Sequence, residues 1–179
     1  MTEPEKNTPL QAGFRGLIAV TLAVLALALF APATGFDFLN LDDPLYVSEN
    51  EHVLTGLSWE NVRWAFQSAH ENWWLPLLWI SYMVDAELFG PGPFGFHLVN
   101  ILLHAANAAL LFWVLYRLTG FTGRSAFVAA LFAVHPLRVE AVAWITARKD
   151  VLSGLFFMLT LLAYARYAER PRLRRYLLV

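Results

Sequence analysis

Residues Phe94 to Leu118 read FGFHLVNILLHAANAALLFWVLYRL. As a helix this run can cross the hydrocarbon core of a bilayer, which takes about 20 apolar residues. It carries no charged side chain before Arg117. Its polar residues are not scattered. His97, Asn100, His104 and Asn107 recur at spacings of 3, 4 and 3, so a helix places all four on one face. At membrane depth such side chains turn inward, where they bond to neighbouring helices or line a wet cavity. This stretch therefore predicts a membrane helix with partners.

The rest of the chain agrees. Hydrophobic residues make up 58% of the 179 and charged residues only 15%, against about 25% charge in an ordinary soluble domain. An earlier apolar run, Gly16 to Gly35, is too long for a signal-peptide core and reads as an uncleaved anchor. A later one starts at Ser125 and is apolar only to Val134. To span, it must continue through Pro136 toward Trp144 and carry Arg138 and Glu140 with it. Val151 to Ala168 is the fourth, and RYLLV at the end reads as the start of a fifth. The expected fold class is an all-α polytopic transmembrane bundle of about four spans. Residues 1–15 form a cytoplasmic N-terminus and 16–179 a single, incomplete membrane domain, the first part of a longer protein. There is no Cys, which excludes disulfides, thiolate metal sites and Cys nucleophiles.

Basic residues set the orientation. Lys6 and Arg15 precede the first span, Arg117 and Arg124 lie between the second and third, and Arg166, Arg170, Arg172, Arg174 and Arg175 follow the fourth. With four spans all three places share one side, which is then cytoplasmic. Residues 36–93 fall on the other side as an outer loop. They hold Asp37, Asp42, Asp43, Glu49, Glu51, Glu60, Glu71, Asp85 and Glu87 but only one basic residue, Arg63. Five tryptophans there (Trp59, Trp64, Trp73, Trp74, Trp79) suit a membrane–water boundary. Ser58 can cap a helix with Glu60 in its first turn, and Leu57, Val62, Ala65, Phe66 and Ala69 share a rough face, so a short helix on the outer leaflet is expected. A second helix over WLPLLWISYMVDAELFG is too short to span.

Three polar features are candidates for chemistry. Asp42 and Asp43, before Pro44, are neighbouring carboxylates, one of which could act as a general base; the plainer reading is a solvated acidic turn. In the polar stripe, His104 and Asn107 read as interhelical hydrogen-bonders, whereas His97 lies nearest the outer face and is the functional candidate. Two histidines seven apart do not make a helical zinc motif, so no metal is assigned. Third, HPLRVEAVAWITARKDVL places His135, Arg138, Glu140, Arg148, Lys149 and Asp150 at the outer ends of the third and fourth spans. Bases on that side run against the charge rule and call for an anionic ligand or for ion pairs among themselves.

The ordered blocks LDDPLYVSEN, WWLPLLWISYMVDAELFGPGPFGFHLVNILLHAANAALLF and ALFAVHPLRVEAVAWITARKDVLSGLFFMLTLLAYARYA resemble the transmembrane and tetratricopeptide-repeat (TMTC) proteins and their bacterial relatives. These are similar to the protein O-mannosyltransferases of the GT-C class. The resemblance implies a GT-C-like helical fold with its site on the non-cytoplasmic side; the short loops and Ala/Leu/Arg-rich composition lean toward a bacterium, where that is the periplasmic side of the inner membrane. The resemblance implies transfer of a sugar from a polyprenyl-phosphate donor to a protein hydroxyl or glycan acceptor. It also implies a catalytic acid in the first outer loop, here Asp43 or Asp42, with Asp43 favoured. By charge and side, Arg148, Lys149, Arg138 and His97 are then candidates for the donor phosphate, with Glu140, Asp150 and His135 supporting them. No cofactor is required by the residues, though a divalent cation is compatible with them. The expected partners are membrane lipid, the donor and the acceptor, and no nucleic acid. No tetratricopeptide repeat is present, and the fragment is expected to be inactive alone. The alternative from another class is a non-catalytic membrane anchor for a repeat domain or partner.

Overall fold

A computed structural model describes residues 9–69 and 73–178. Lys6, Glu71 and Val179, used above for orientation, charge and the chain's end, lie outside them. The described residues are helical and contain no strand. Three helices are long and apolar enough to cross a bilayer: Pro9–Gly35, Pro93–Thr119 and Ile145–Glu169. With exposed Phe14, Leu17, Val20, Phe156 and Phe157 among their side chains, they make the chain an integral membrane protein. The third expected span is not one helix. It runs as α6, Thr122–Val134, and stops where Pro136 has no N–H to offer. His135 takes over the helix end: its carbonyl accepts from Arg138 N at 2.9 Å and its Nδ1 accepts from Leu137 N at 3.2 Å. The chain resumes as α7, Arg138–Ala143.

The described residues divide into two compact units, taken separately here. The first comprises those of Met1–Leu29, Leu102–Arg138 and Val151–Val179. In it, α1 (Pro9–Phe30) packs on α5 (Pro93–Thr119) and α6 through small residues: Ala26 meets Ala105, Ala108 and Ala133, and Ala19 and Leu22 meet Phe112 and Ala129. Small side chains let backbones approach where lipid removes the hydrophobic drive for helix pairing. Polar groups complete the contacts. His104 Nε2 lies 3.1 Å from the Ala133 carbonyl. Asn107 Nδ2 donates to the Val151 carbonyl of α8 (Arg148–Glu169) at 2.7 Å. Gly154 permits that approach, because a Cβ there would stand 3.1 Å from Asn107 Nδ2.

The second unit comprises Phe30–Ile101 and Val139–Asp150. Short helices α2 (Glu51–Leu54) and α3 (Trp59–Gln67) pack with α4 (Pro76–Phe89). Ser58 Oγ caps α3 by accepting from Asn61 N at 3.1 Å. The turn before it uses Gly56 at φ +78°, where a side chain would be strained, and Asn61 Nδ2 donates to the Gly56 carbonyl at 2.8 Å. The face of α3 that goes inward is Asn61 and Ala65; Leu57, Phe66 and Ala69 stay exposed. Trp79, fully buried, is the centre of the core, with Tyr46 stacked on it at 5.0 Å and Trp64 edge-on at 5.4 Å. At 14 residues, α4 is about 21 Å long, short of a span.

Candidate functional site

The second unit holds two polar assemblies. The first is built on Arg148, wholly buried where the 3₁₀ turn Ile145–Ala147 enters α8. Its Nε donates to Asn100 Oδ1 at 2.6 Å, one terminal nitrogen to the Phe96 carbonyl at 2.8 Å, and the other to Ser81 Oγ at 3.3 Å. Asp85 supplies the countercharge in a close ion pair. The guanidinium lies over the Tyr82 ring, 4.5 Å from its centroid. Tyr82 in turn donates to the Ile145 carbonyl at 2.9 Å, and Asn100 Nδ2 to the carbonyls of Trp144 and Ile145 at 3.1 and 3.3 Å. Burial pushes the Asp85 carboxyl up to about 6, against the opposing pull of the Arg148 charge, and also raises the Tyr82 phenol. The sum is a clamp that fixes the turn 144–148 to α4 and to the N-terminal part of α5.

Asp43 belongs to the same clamp. It is fully buried. Its Oδ2 accepts from Leu39 N at 2.8 Å and its Oδ1 from Thr146 N at 3.3 Å. One carboxylate thus ties the 39–43 segment to the 145–147 turn. Asp42, beside it, is exposed.

These ties wall the second assembly, a cleft of about 780 Å³. One wall is Gly35 to Leu39 with Leu41; the other is Val139, Glu140, Ala143 and Trp144, with His97 of α5 between. The lining is mostly apolar. Among the described residues its ionisable side chains are Asp37, Glu140 and His97, with no Lys or Arg. His97 is only 2% exposed, and Phe36 meets its ring edge-on at 6.3 Å. Neither of its nitrogens makes a hydrogen bond of good geometry among the described residues, although the backbone of Phe36, Asp37 and Ala143 lies beside the ring. A buried polar group left this way costs stability unless something else satisfies it.

The sequence candidates therefore fall in different places. His97 and Glu140 meet in the cleft, while Asp43 and Arg148 both hold the 144–148 turn. Lys149 and Asp150 are exposed at the start of α8. His135 and Arg138 belong to the first unit, where Arg138 lies over the Phe132 ring at 4.4 Å. Of the residues that complete the Arg148 clamp, Ser81 and Tyr82 carry no signal of their own, Asn100 stands in the polar stripe, and Asp85 has a weak one. Asp85 is one of two acids in an otherwise apolar helix, the other being exposed Glu87, and it lies one turn after Ser81, on the same face. Asp37 was visible only as one acid of the acidic loop. Among the described residues no three His, Asp or Glu side chains converge as metal ligands would.

Fold and site together define a helical integral membrane protein with a clamped, acid-bearing cleft formed by its 30–101 segment and α7. The sequence is 33% identical to the protein O-mannosyl-transferase tmtc2 of Xenopus laevis over 155 residues, 82% of this chain. It is 34% identical to the human protein O-mannosyl-transferase TMTC2 over 156 residues, again 82% of this chain. With the mouse protein O-mannosyl-transferase TMTC1 it shares 42% identity over 108 residues, 59% of this chain. The chain is TMTC-like, as the ordered blocks implied. It spans less than a fifth of these relatives: 18% of both TMTC2 proteins and 11% of TMTC1. No family model and no solved structure matches it.

Proposed function

We propose that this chain is a module of a GT-C membrane glycosyltransferase that moves a sugar from a polyprenyl-phosphate donor to a hydroxyl of a protein or other acceptor. The observation that carries the proposal is its likeness, over four-fifths of its length, to proteins named protein O-mannosyl-transferases. Exposed Asp42 and Lys149 beside buried, hydrogen-bonded Asp43 and Arg148 support a division of labour. Asp42, the exposed acid, takes the proton from the acceptor hydroxyl as that oxygen bonds to the anomeric carbon. The bond from that carbon to the phosphate oxygen breaks, and the polyprenyl phosphate leaves with the electron pair. Asp43, held by two backbone amides, positions Asp42. Arg148, whose guanidinium already serves protein acceptors, positions the turn that presents exposed Lys149 to the departing phosphate. Positioning and charge stabilisation supply the rate in such a transfer. We place the site on the side opposite the arginine-rich flanks, the periplasmic side in a bacterium, and expect the remaining spans and a tetratricopeptide-repeat domain elsewhere in the whole protein.

The test is transfer of labelled mannose from a polyprenyl-phosphate donor in membranes holding the whole protein. Asp42→Asn is expected to lower transfer by about a hundredfold or more, the usual contribution of a general base. Normal transfer in that variant removes Asp42 from the role. No transfer by the unaltered protein from any of several sugar donors leaves the membrane-anchor reading in its place.

A further inference from the structure

The cleft has three properties that do not suit a phosphate. Among the described residues its lining holds two carboxylates, Asp37 and Glu140, and no cation. The polar group deepest in it, His97, is buried, and neither nitrogen makes a hydrogen bond of good geometry to the backbone of Phe36, Asp37 and Ala143 beside it. The remaining surface, Phe36 and Trp144 among it, is apolar and aromatic. A phosphate entering here would meet like charge and lose its water. A hydroxyl would not. Neutral imidazole offers one donor and one acceptor, and a carboxylate accepts, so a group that both donates and accepts satisfies them together. Aromatic faces beside such groups cover the apolar side of the same ligand.

We infer that the cleft lined by His97, Asp37, Glu140 and Trp144 is a binding site for an uncharged, hydroxyl-bearing ligand. His97 and Glu140 are its specificity-determining residues, and the donor phosphate is excluded from it. The choice of a hydroxyl over other neutral ligands rests on the glycosyl-transfer reading. The hydroxyl comes either from the sugar being transferred or from the acceptor; the chemistry of recognition is the same. Two carboxylates and aromatic faces also suit a cation, and an alkylammonium probe decides between the two.

Equilibrium binding to the whole protein in lipid nanodiscs tests this without turnover. The probes are an alkyl mannoside below its micelle concentration, an alkyl phosphate and an alkylammonium of the same chain length. The mannoside is expected to bind, and Glu140→Gln and His97→Ala each to weaken it by about tenfold, the effect of losing one hydrogen bond that involves a charged or desolvated group. Glu140 is exposed, so that substitution spares the fold if His97→Ala does not. Competition by a serine-bearing peptide would assign the hydroxyl to the acceptor; its failure would assign it to the sugar. Mannoside affinity unchanged within twofold in both variants, or tighter binding of the phosphate or ammonium probe, overturns the inference. Loss of mannoside binding in Glu140→Gln, in a protein that transfers no sugar, keeps the site and removes the transferase reading. Transfer that persists while mannoside affinity ignores both substitutions does the reverse.

Discussion

His97 and His104 stand on the same helix, share one face by sequence, and are buried alike, 2% and 1% exposed. Their surroundings differ. His104 reaches the Ala133 carbonyl and tilts against Phe132 at 5.4 Å. His97 makes no hydrogen bond of good geometry among the described residues and borders a cleft. The two asparagines of the stripe repeat the lesson. Asn107 donates to the Val151 carbonyl, and Asn100 supports Arg148 and the 144–145 carbonyls. Three of the four stripe residues make well-formed hydrogen bonds to protein, and the fourth lines the cleft. A polar residue at membrane depth says that a partner exists; only the structure says whether the partner is protein or ligand.

The clamp is where the protein-binding side of this contrast breaks most strongly. Arg148→Ala leaves Asp85 buried without a countercharge and is expected to cost about 3–5 kcal/mol. The check is thermal unfolding of the purified protein in detergent; a melting temperature near that of the unaltered protein would show that the clamp is dispensable.

A smaller, signed effect comes from the acid of the pair. Asp85 titrates near 6 when folded, against an ordinary value of 3.8. Between those values the folded state binds the extra proton. The contribution of this group to stability is therefore greatest at low pH, falls as pH rises from about 4 to about 6, and is flat beyond. Melting temperatures compared across that window should show the unaltered protein losing ground to Asp85→Asn as pH rises. The opposite slope would mean that the Arg148 charge outweighs burial.

The smallest effect concerns helix approach. Gly154→Ala places a Cβ 3.1 Å from Asn107 Nδ2, whereas a Cβ at Gly13 meets nothing within 4 Å. Overpacking at Gly154 is expected to cost about 1 kcal/mol, and Gly13→Ala to be neutral or slightly stabilising. Equal melting temperatures for the two variants would remove the close-packing role of Gly154.

Much of the fold is legible in the sequence, because bilayer thickness converts directly into run length. The three long helices follow from that, as does the shortness of α4. The broken third segment was half visible: Pro136 and the end of the apolar run at Val134 mark the place, but that the chain stops being one helix there depends on His135 serving its own backbone. The site was less legible. The burial of Asp43 follows from amides at Leu39 and Thr146, far apart in the chain, and no local pattern announces such a tie. Arg148 read as a surplus cation because Asp85, Asn100 and Ser81 lie on other helices. His97 stood out by position alone, and its unmet hydrogen bonds belong to three dimensions.

The paired variants His97→Ala and His104→Ala, each measured for melting temperature and for mannoside affinity, test the central contrast most directly. The account predicts that His97→Ala keeps or raises the melting temperature and weakens the mannoside by about tenfold, whereas His104→Ala lowers stability by about 1–3 kcal/mol and leaves affinity unchanged. Stability and affinity falling together in both variants would contradict it, because the two histidines would then be doing the same structural work.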